Sequence, residues 1–444
     1  MTTQSGLDQL LTLKATLDDL VQAYSESDRS RHLRPLAAQG LAGPPVPDAA
    51  LMRMSATLVQ MQALVEGPMW TLSNGFKYHL PSALRVAIET HVEEQLREAE
   101  KPLSATDLAK PTGTDPDKLA RCLRLLAANH IFVEVEPGVF DRNLCSSVLD
   151  KRMKVDDMVK TPDDMYSSGG GIAALISHCA DEAMKSSAHI PEALVRGQSA
   201  SSAKKDATPW QLAFGCEGDP FTFFAQPGNE WRVKRFASAM AAARLGFSPD
   251  IGTSSRPRRT DGAKVVDVGG GVGHLTLILA EAIPSLKFVV QDRREVIEKD
   301  APHFWETSTT PDVRSRVEVV PHDFFTPNPI KGADVYFMRA IVHDWPDAEA
   351  IKILSHLAEA ASSSSRLVVV ETTYESLSPQ APPMTSMPYY LDIQMMLFDA
   401  RERTEEQYAE LGRKAGWELV KTWKTGPEGK DAMWRHYEFA KAEK

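Results

Sequence analysis

Apolar residues recur at three- and four-residue intervals from Leu7 through Leu10, Leu11, Leu17, Leu20 and Val21, the period of a helix with one apolar face. A Pro/Gly-rich stretch, Gly40 to Pro47, ends that pattern. A second helical run extends from Ala50 to Val65 with Leu51, Met54, Leu58, Met61 and Leu64. Apolar faces of this kind require a cover. Ser104 sits three residues before Asp107, a helix start of the capping-box type. Asp115-Pro116 opens another helix, with proline in the first turn and Leu119, Cys122, Leu123 and Leu126 facing inward. Ile131 to Phe140 reads as two short strands around a Pro137-Gly138 turn. Helix, turn, helix and hairpin make a winged-helix pattern. Residues 151–215 read as mostly helical around a loose Ser/Ala/Lys-rich segment, Gln198 to Asp206. Phe221 to Leu245 reads as a helix carrying Phe223, Val233, Phe236 and Met240.

A polar run from Thr253 to Thr260 marks a boundary, and the pattern then changes. Short β-branched runs alternate with helical segments: Val265-Val266, Phe288 to Val290, Val317 to Val320, Val335 to Phe337 and Leu367 to Val370. This alternation predicts a mostly parallel sheet with helices on both faces. Trp417 to Trp423 and Trp434 to Phe439 would add two last strands, paired as an antiparallel edge. The 444-residue length calls for more than one domain. The expected division is a helical extension over 1–80, a winged-helix-like domain over 81–150, a helical connector over 151–245 and an α/β domain over 246–444.

Composition narrows the function. The net charge of −10 argues against a nucleic-acid partner, as does the mixed charge on the second winged-helix helix. No run approaches the roughly 20 apolar residues of a membrane span. The opening Met1-Thr2-Thr3-Gln4 lacks a basic segment followed by an apolar one, so no secretory signal is expected. Cys122, Cys145, Cys179 and Cys216 are scattered, which excludes a CxxC metal site and reads as small apolar core residues in a reducing, cytoplasmic setting.

The first strand of the α/β region runs into Val268-Gly269-Gly270-Gly271-Val272-Gly273, a turn that lets backbone approach a ligand at a strand end. The dinucleotide fingerprint would need glycine at 274, which is His274, and no GK[ST] is present. The second strand ends at Asp292, placed to accept from both hydroxyls of a ribose. The third ends in His322-Asp323-Phe324, an acceptor and a ring suited to adenine. The fourth continues through Arg339 to His343-Asp344-Trp345. Asp292 or Asp323 could instead cap the following helix. The four sites in series, at successive strand ends, point to a nucleoside.

The order VVDVGGGVG, QD, HDFF, FMRAIVHDWPD and ARERTEEQYAELGRKAGW resembles the plant- and fungal-type S-adenosylmethionine-dependent O-methyltransferases from about 262 to 440. ALRVAIE and LSATDLAKPTGTDPDKLARCLRLLAANHIF resemble that family's N-terminal winged-helix dimerisation domain. The resemblance implies a Rossmann-like class I methyltransferase domain with a seven-stranded sheet, a homodimer, and S-adenosylmethionine as cofactor without a metal. It implies that Gly269 and Gly270 hold the methionine part, Asp292 the ribose and Asp323 with Phe324 the adenine, while Arg339 is a basic cofactor contact. It places His343 at the general base, with Glu371 and Glu402 as its acidic partners. Two departures stand out: Asp399-Ala400 replaces a usual Gly-Gly pair, and His274 replaces a small hydroxyl residue.

The expected reaction is methyl transfer to a hydroxyl of a small aromatic or polyketide-like compound. A phenol, with pKa about 10, needs a base at neutral pH, and histidine suits that task. His343 could alternatively be a plain helix-start residue, and Glu402 a surface partner of Arg401 or Arg403. Met240, Tyr389, Met395, Met396 and Phe398 are candidate lining residues of the acceptor pocket, although such side chains also build cores. The alternative activity is a pericyclic or cyclisation reaction on the same fold with no net methyl transfer. A non-catalytic regulatory role would leave the cofactor series unexplained.

Overall fold

The computed structural model describes residues 6–26, 49–195, 207–243, 262–373, 386–424 and 434–443. The expected loops at Gly40 to Pro47 and Gln198 to Asp206, and the boundary run Thr253 to Thr260, lie outside them. The described residues up to 243 fall in one compact unit and those from 262 in another. No described helix is long and apolar enough to cross a membrane.

In the first unit, α1 (Gly6–Ser25) packs on α2 (Ala49–Leu72), which kinks where Gly67 takes φ 68° ahead of Pro68. This pair buries Leu13, Tyr24 and Ala56 but leaves Leu7, Leu11, Val21 and Leu58 at least half exposed. α3 (His79–Glu89), α4 (Val92–Ala99), α5 (Ala105–Ala109) and α6 (Pro116–Ala128) follow. Ser104 and Asp115 cap α5 and α6 through Oγ and Oδ1, accepting from the N–H groups of Asp107 and Lys118 at 3.1 and 2.9 Å. β1 (Leu103–Ser104), β2 (Val133–Glu136) and β3 (Val139–Asp141) form an antiparallel sheet in the order β1-β3-β2. The wing thus gains a third strand that periodicity did not reveal, because two residues are too few to show one. Leu119, Leu123 and Leu126 are fully buried with Phe132 and Phe140.

Two expectations are corrected here. Phe221 to Leu245 is not one helix but Pro220–Phe224 and Glu230–Ala243. Pro227 disfavours helix in the residue before it, and Gly228 turns the chain at φ 88°. Val233 is exposed. The cysteines are not all core residues: Cys122, packed against this unit's core, and Cys145 and Cys216 are half-buried, while Cys179 is exposed.

The second unit contains a seven-stranded sheet. β4 (Lys264–Val268), β5 (Lys287–Asp292), β6 (Val317–Pro321), β7 (Val335–Arg339), β8 (Arg366–Thr372), β9 (Trp417–Lys424) and β10 (Trp434–Lys441) are ordered β6-β5-β4-β7-β8-β10-β9. The first five are parallel, and β10 runs antiparallel to both β8 and β9. One face packs Tyr336, Met338 and Val369 against the helices Asp347–Ala360 and Glu405–Lys414. The other packs Phe288, Phe337 and Val370 with Leu275 and Ala280 of the helix His274–Ala282. Strand order reverses between β4 and β7, so a crevice opens at their carboxyl ends.

One buried ion pair fastens the first unit. Lys151 Nζ donates to Glu94 Oε2 at 2.9 Å and to the Ile88 carbonyl at 3.0 Å, while the Lys151 N–H donates to Glu94 Oε1 at 2.7 Å. Neither side chain is more than 1% exposed. Lys151→Met removes the cation and strands the carboxylate, so it should destabilise this unit by about 3–5 kcal/mol. Urea melts followed by near-ultraviolet dichroism would read this as an earlier first transition. An unchanged midpoint would show that the pair is dispensable.

Candidate active site

The turn after β4 is built for close approach. Gly269 has φ 75°, and a Cβ there would lie 2.5 Å from Ile341 Cδ1. A Cβ on Gly270 would lie 2.6 Å from the Asp267 carboxyl. The Gln291 carbonyl accepts from the N–H groups of Gly269 and Gly270 at 2.8 and 3.1 Å. Asp292, the last residue of β5, accepts from the Gly271 N–H through Oδ2 at 2.7 Å and from the Arg293 N–H through Oδ1 at 2.8 Å. Each carboxylate oxygen retains acceptor capacity for a hydroxyl. The bare backbone cradle and this carboxylate fit a nucleoside carrying an amino-acid tail.

After β6, Asp323 is exposed, and its Oδ1 accepts from the Phe325 N–H at 3.0 Å. Phe324 stands edge-on to Phe325 and Trp345, with ring centres 5.1 and 5.8 Å away. Arg339, at the end of β7, holds its guanidinium 5.0 Å from the centre of the Trp434 ring. His274 lies against Phe304, ring centres 4.4 Å apart.

His343, Glu371 and Glu402 come together. His343 Nδ1 lies 2.9 Å from Glu402 Oε1 and 3.8 Å from Glu371 Oε2, and its Nε2 is 3.6 Å from Asp344 Oδ1. Glu371, on β8, is fully buried, and its Oε1 accepts from the N–H groups of Ile341 and Val342 at 3.0 and 2.7 Å. Glu402 Oε2 accepts from the Thr372 hydroxyl. Glu402 is therefore a buried partner of the imidazole and not a surface ion pair. Burial alone would lower the His343 pKa, but the charges of Glu371, Asp344 and Glu402 and the bond to Glu402 carry it well above its ordinary value. Burial pushes Glu371 up to about 7 and Asp344 up to about 6.

The O-methyltransferase domain model matches residues 198–418, and the O-methyltransferase dimerisation domain model matches 70–151. An O-methyltransferase of Armillaria gallica is 34% identical over 403 residues, covering 83% of this chain and 84% of the relative. A sterigmatocystin 8-O-methyltransferase of Aspergillus parasiticus is 30% identical, covering 84% and 83%. A solved structure described as a pericyclic reaction enzyme shares the fold, with a TM-score of 0.71, 21% identity and coverage of 98% of this chain and all of that one. The chain belongs to the S-adenosylmethionine-dependent O-methyltransferases.

In this O-methyltransferase the candidate lining residues divide. Tyr389, Met395 and Met396 are half-buried on the helix Met387–Met396, with Phe398 just beyond it. Met240 is half-buried against the core of the first unit. The departure at Asp399 has a backbone consequence. Asp399 takes φ 67°, a conformation glycine adopts without strain. Pattern reading missed three residues that shape the site. Asp344 faces the other ring nitrogen, and only its adjacency to His343 signalled it. Thr372 anchors Glu402. Arg403, 1% exposed, donates to the carbonyls of Val342 and Trp345 at 3.0 and 2.7 Å and to Asp347 Oδ1 at 2.7 Å, clamping the loop that carries His343.

The acids around His343 favour its charged form in the ligand-free protein. Histidine ring NMR shifts should show the imidazolium at pH 7, and Glu371→Gln should lower the midpoint. A midpoint near the ordinary value of about 6.5 in the unmodified protein would contradict this electrostatic account.

Proposed function

We propose that the enzyme methylates a hydroxyl of a small aromatic or polyketide-like secondary metabolite, with His343 as the general base. The observation that carries this reading is the 2.9 Å contact between His343 Nδ1 and Glu402 Oε1. It fixes the ring and reserves Nε2 for the acceptor proton, the base–orienter arrangement of nucleophile-activating sites. Glu371 supports the imidazolium that forms when the proton arrives. Asp344, 3.6 Å from Nε2, stands on the same side as the incoming hydroxyl would.

Gly269, Gly270, Asp292, Asp323, Phe324 and Arg339 would hold S-adenosylmethionine. Bound there, it supplies a methyl group already activated on a sulfonium. The chain's own task is then alignment and proton removal. The half-buried Tyr389, Met395, Met396 and Phe398 would give the acceptor an apolar wall, while Met240 belongs to the first unit. The name of the Aspergillus relative, which acts on sterigmatocystin, supports an aromatic polyketide-like acceptor.

A second reading, an S-adenosylmethionine-binding pericyclase, is favoured by one observation. A solved structure described as a pericyclic reaction enzyme shares the fold over 98% of this chain. The two readings part on whether a methyl group moves.

The match of the dimerisation-domain model at 70–151 and the exposed Leu7, Leu11, Val21 and Leu58 support a homodimer. Sedimentation velocity at micromolar concentration should give twice the chain mass, and a monomer there would refute this assembly.

His343→Ala should lower kcat by about 10²–10⁴ while cofactor affinity is nearly unchanged. Only a neutral imidazole accepts a proton, so kcat should rise with pH through the raised His343 pKa. Glu402→Gln should cost less, because the ring loses its orienting charge but keeps its packing. Stopped assays across pH with a hydroxylated acceptor would check all three. A variant at His343 retaining full kcat would remove it from the base role.

A further inference from the structure

Gln291 and Asn328 are each 1% exposed and have no role assigned above beyond the Gln291 carbonyl. Gln291 lies in register between Val268 of β4 and Val320 of β6. Alternation along β5 turns its side chain to the face opposite that of Asp292. There it meets Asn328, in the segment after β6 that follows Asp323 and Phe324. Asn328 Nδ2 donates to Gln291 Oε1 at 2.7 Å, and Gln291 Nε2 donates to Asn328 Oδ1 at 3.3 Å. The Ile330 N–H also donates to Asn328 Oδ1, at 2.9 Å, so that oxygen is an acceptor and the sense of both amide bonds is fixed. The Tyr336 hydroxyl, from β7, donates to the Ile330 carbonyl at 2.7 Å and anchors the same segment.

Three cofactor-binding segments therefore meet at one residue. The Gln291 backbone holds the Gly269–Gly270 turn, its chain neighbour is Asp292, and its side chain holds the segment bearing Asp323 and Phe324. The His322 N–H donates to the Asp292 carbonyl at 2.8 Å, a second tie between the same strand ends. An apolar pair of equal volume would fill this space. It would not set the register of the segment against β5, because only the paired amides are directional.

We propose that Gln291 and Asn328 are positioning residues for the cofactor, setting the spacing between its ribose and adenine sites. The proposal rests on the reading of Gly269, Asp292 and Asp323 as the S-adenosylmethionine site. Neither amide touches the ligand; both act through Asp292 and Asp323.

The test is the double variant Gln291→Met, Asn328→Leu, which keeps shape and removes both amides, leaving the Ile330 N–H without its acceptor. Calorimetry with S-adenosylhomocysteine on the full-length protein should show Kd rising about tenfold, with a modest fall in melting temperature. At saturating cofactor kcat should be close to that of the unmodified enzyme, and the acceptor KM should not move. Asp292→Ala is measured alongside. If Asp292→Ala loses binding and the double variant does not, the positioning role is overturned and the cofactor site stands. If neither variant affects binding, the cofactor site itself is misplaced. Should the double variant fail to fold, Gln291→Met alone, which leaves Asn328 its bond from Ile330, is titrated in its place. Failure of that variant to fold also overturns the proposal, because the pair would then serve folding.

Discussion

Glu371 is a fully buried carboxylate at the end of a central strand, and the loop carrying His343 is shaped by the need to satisfy it. An ion in such a place costs several kcal/mol unless charge and hydrogen bonds compensate. Two backbone N–H groups, from Ile341 and Val342, cover one oxygen, and the imidazole of His343 faces the other at 3.8 Å. To deliver those N–H groups the chain leaves β7 through Ala340 at φ 51°, a strained value for a residue with a Cβ. Arg403 then fixes the outgoing limb by binding the carbonyls of Val342 and Trp345. His343 is held in place by the same bonds that make the carboxylate tolerable.

The sheet explains why the candidate cofactor residues lie close to His343. Gly269, Asp292, Asp323 and Arg339 follow or end successive parallel strands, and the reversal of strand order between β4 and β7 places the crevice among them. Glu371 enters from the adjacent strand β8, and Glu402 reaches His343 from the segment before the helix Glu405–Lys414. The three acids around the imidazole favour its charged form.

Much of this was legible in the chain. Five β-branched runs announced a parallel sheet, and the glycine turn with carboxylates at strand ends suggested where a nucleoside would lie. The antiparallel pairing of the last two strands was also legible, but not that β10 would insert between β8 and β9. What could not be read depended on contacts distant in sequence. Gln291 and Asn328 are 37 positions apart and carry no periodic signal. Thr372 looks like an ordinary strand residue until Glu402 is set beside it. The break at Pro227-Gly228 was visible in composition, yet the aromatic residues on either side suggested one continuous helix. The exposed Cys179 shows that residue type alone says little about burial in the first unit.

The central claim is that a proton leaves the acceptor to His343 while a methyl group arrives. The direct measurement supplies S-adenosylmethionine with an isotopically labelled methyl, incubates the enzyme with a panel of hydroxylated aromatic compounds and takes the product mass. The account predicts a product heavier by one labelled methyl on oxygen, absent with His343→Ala. A product of unchanged mass, with the label still on the bound cofactor, would contradict it.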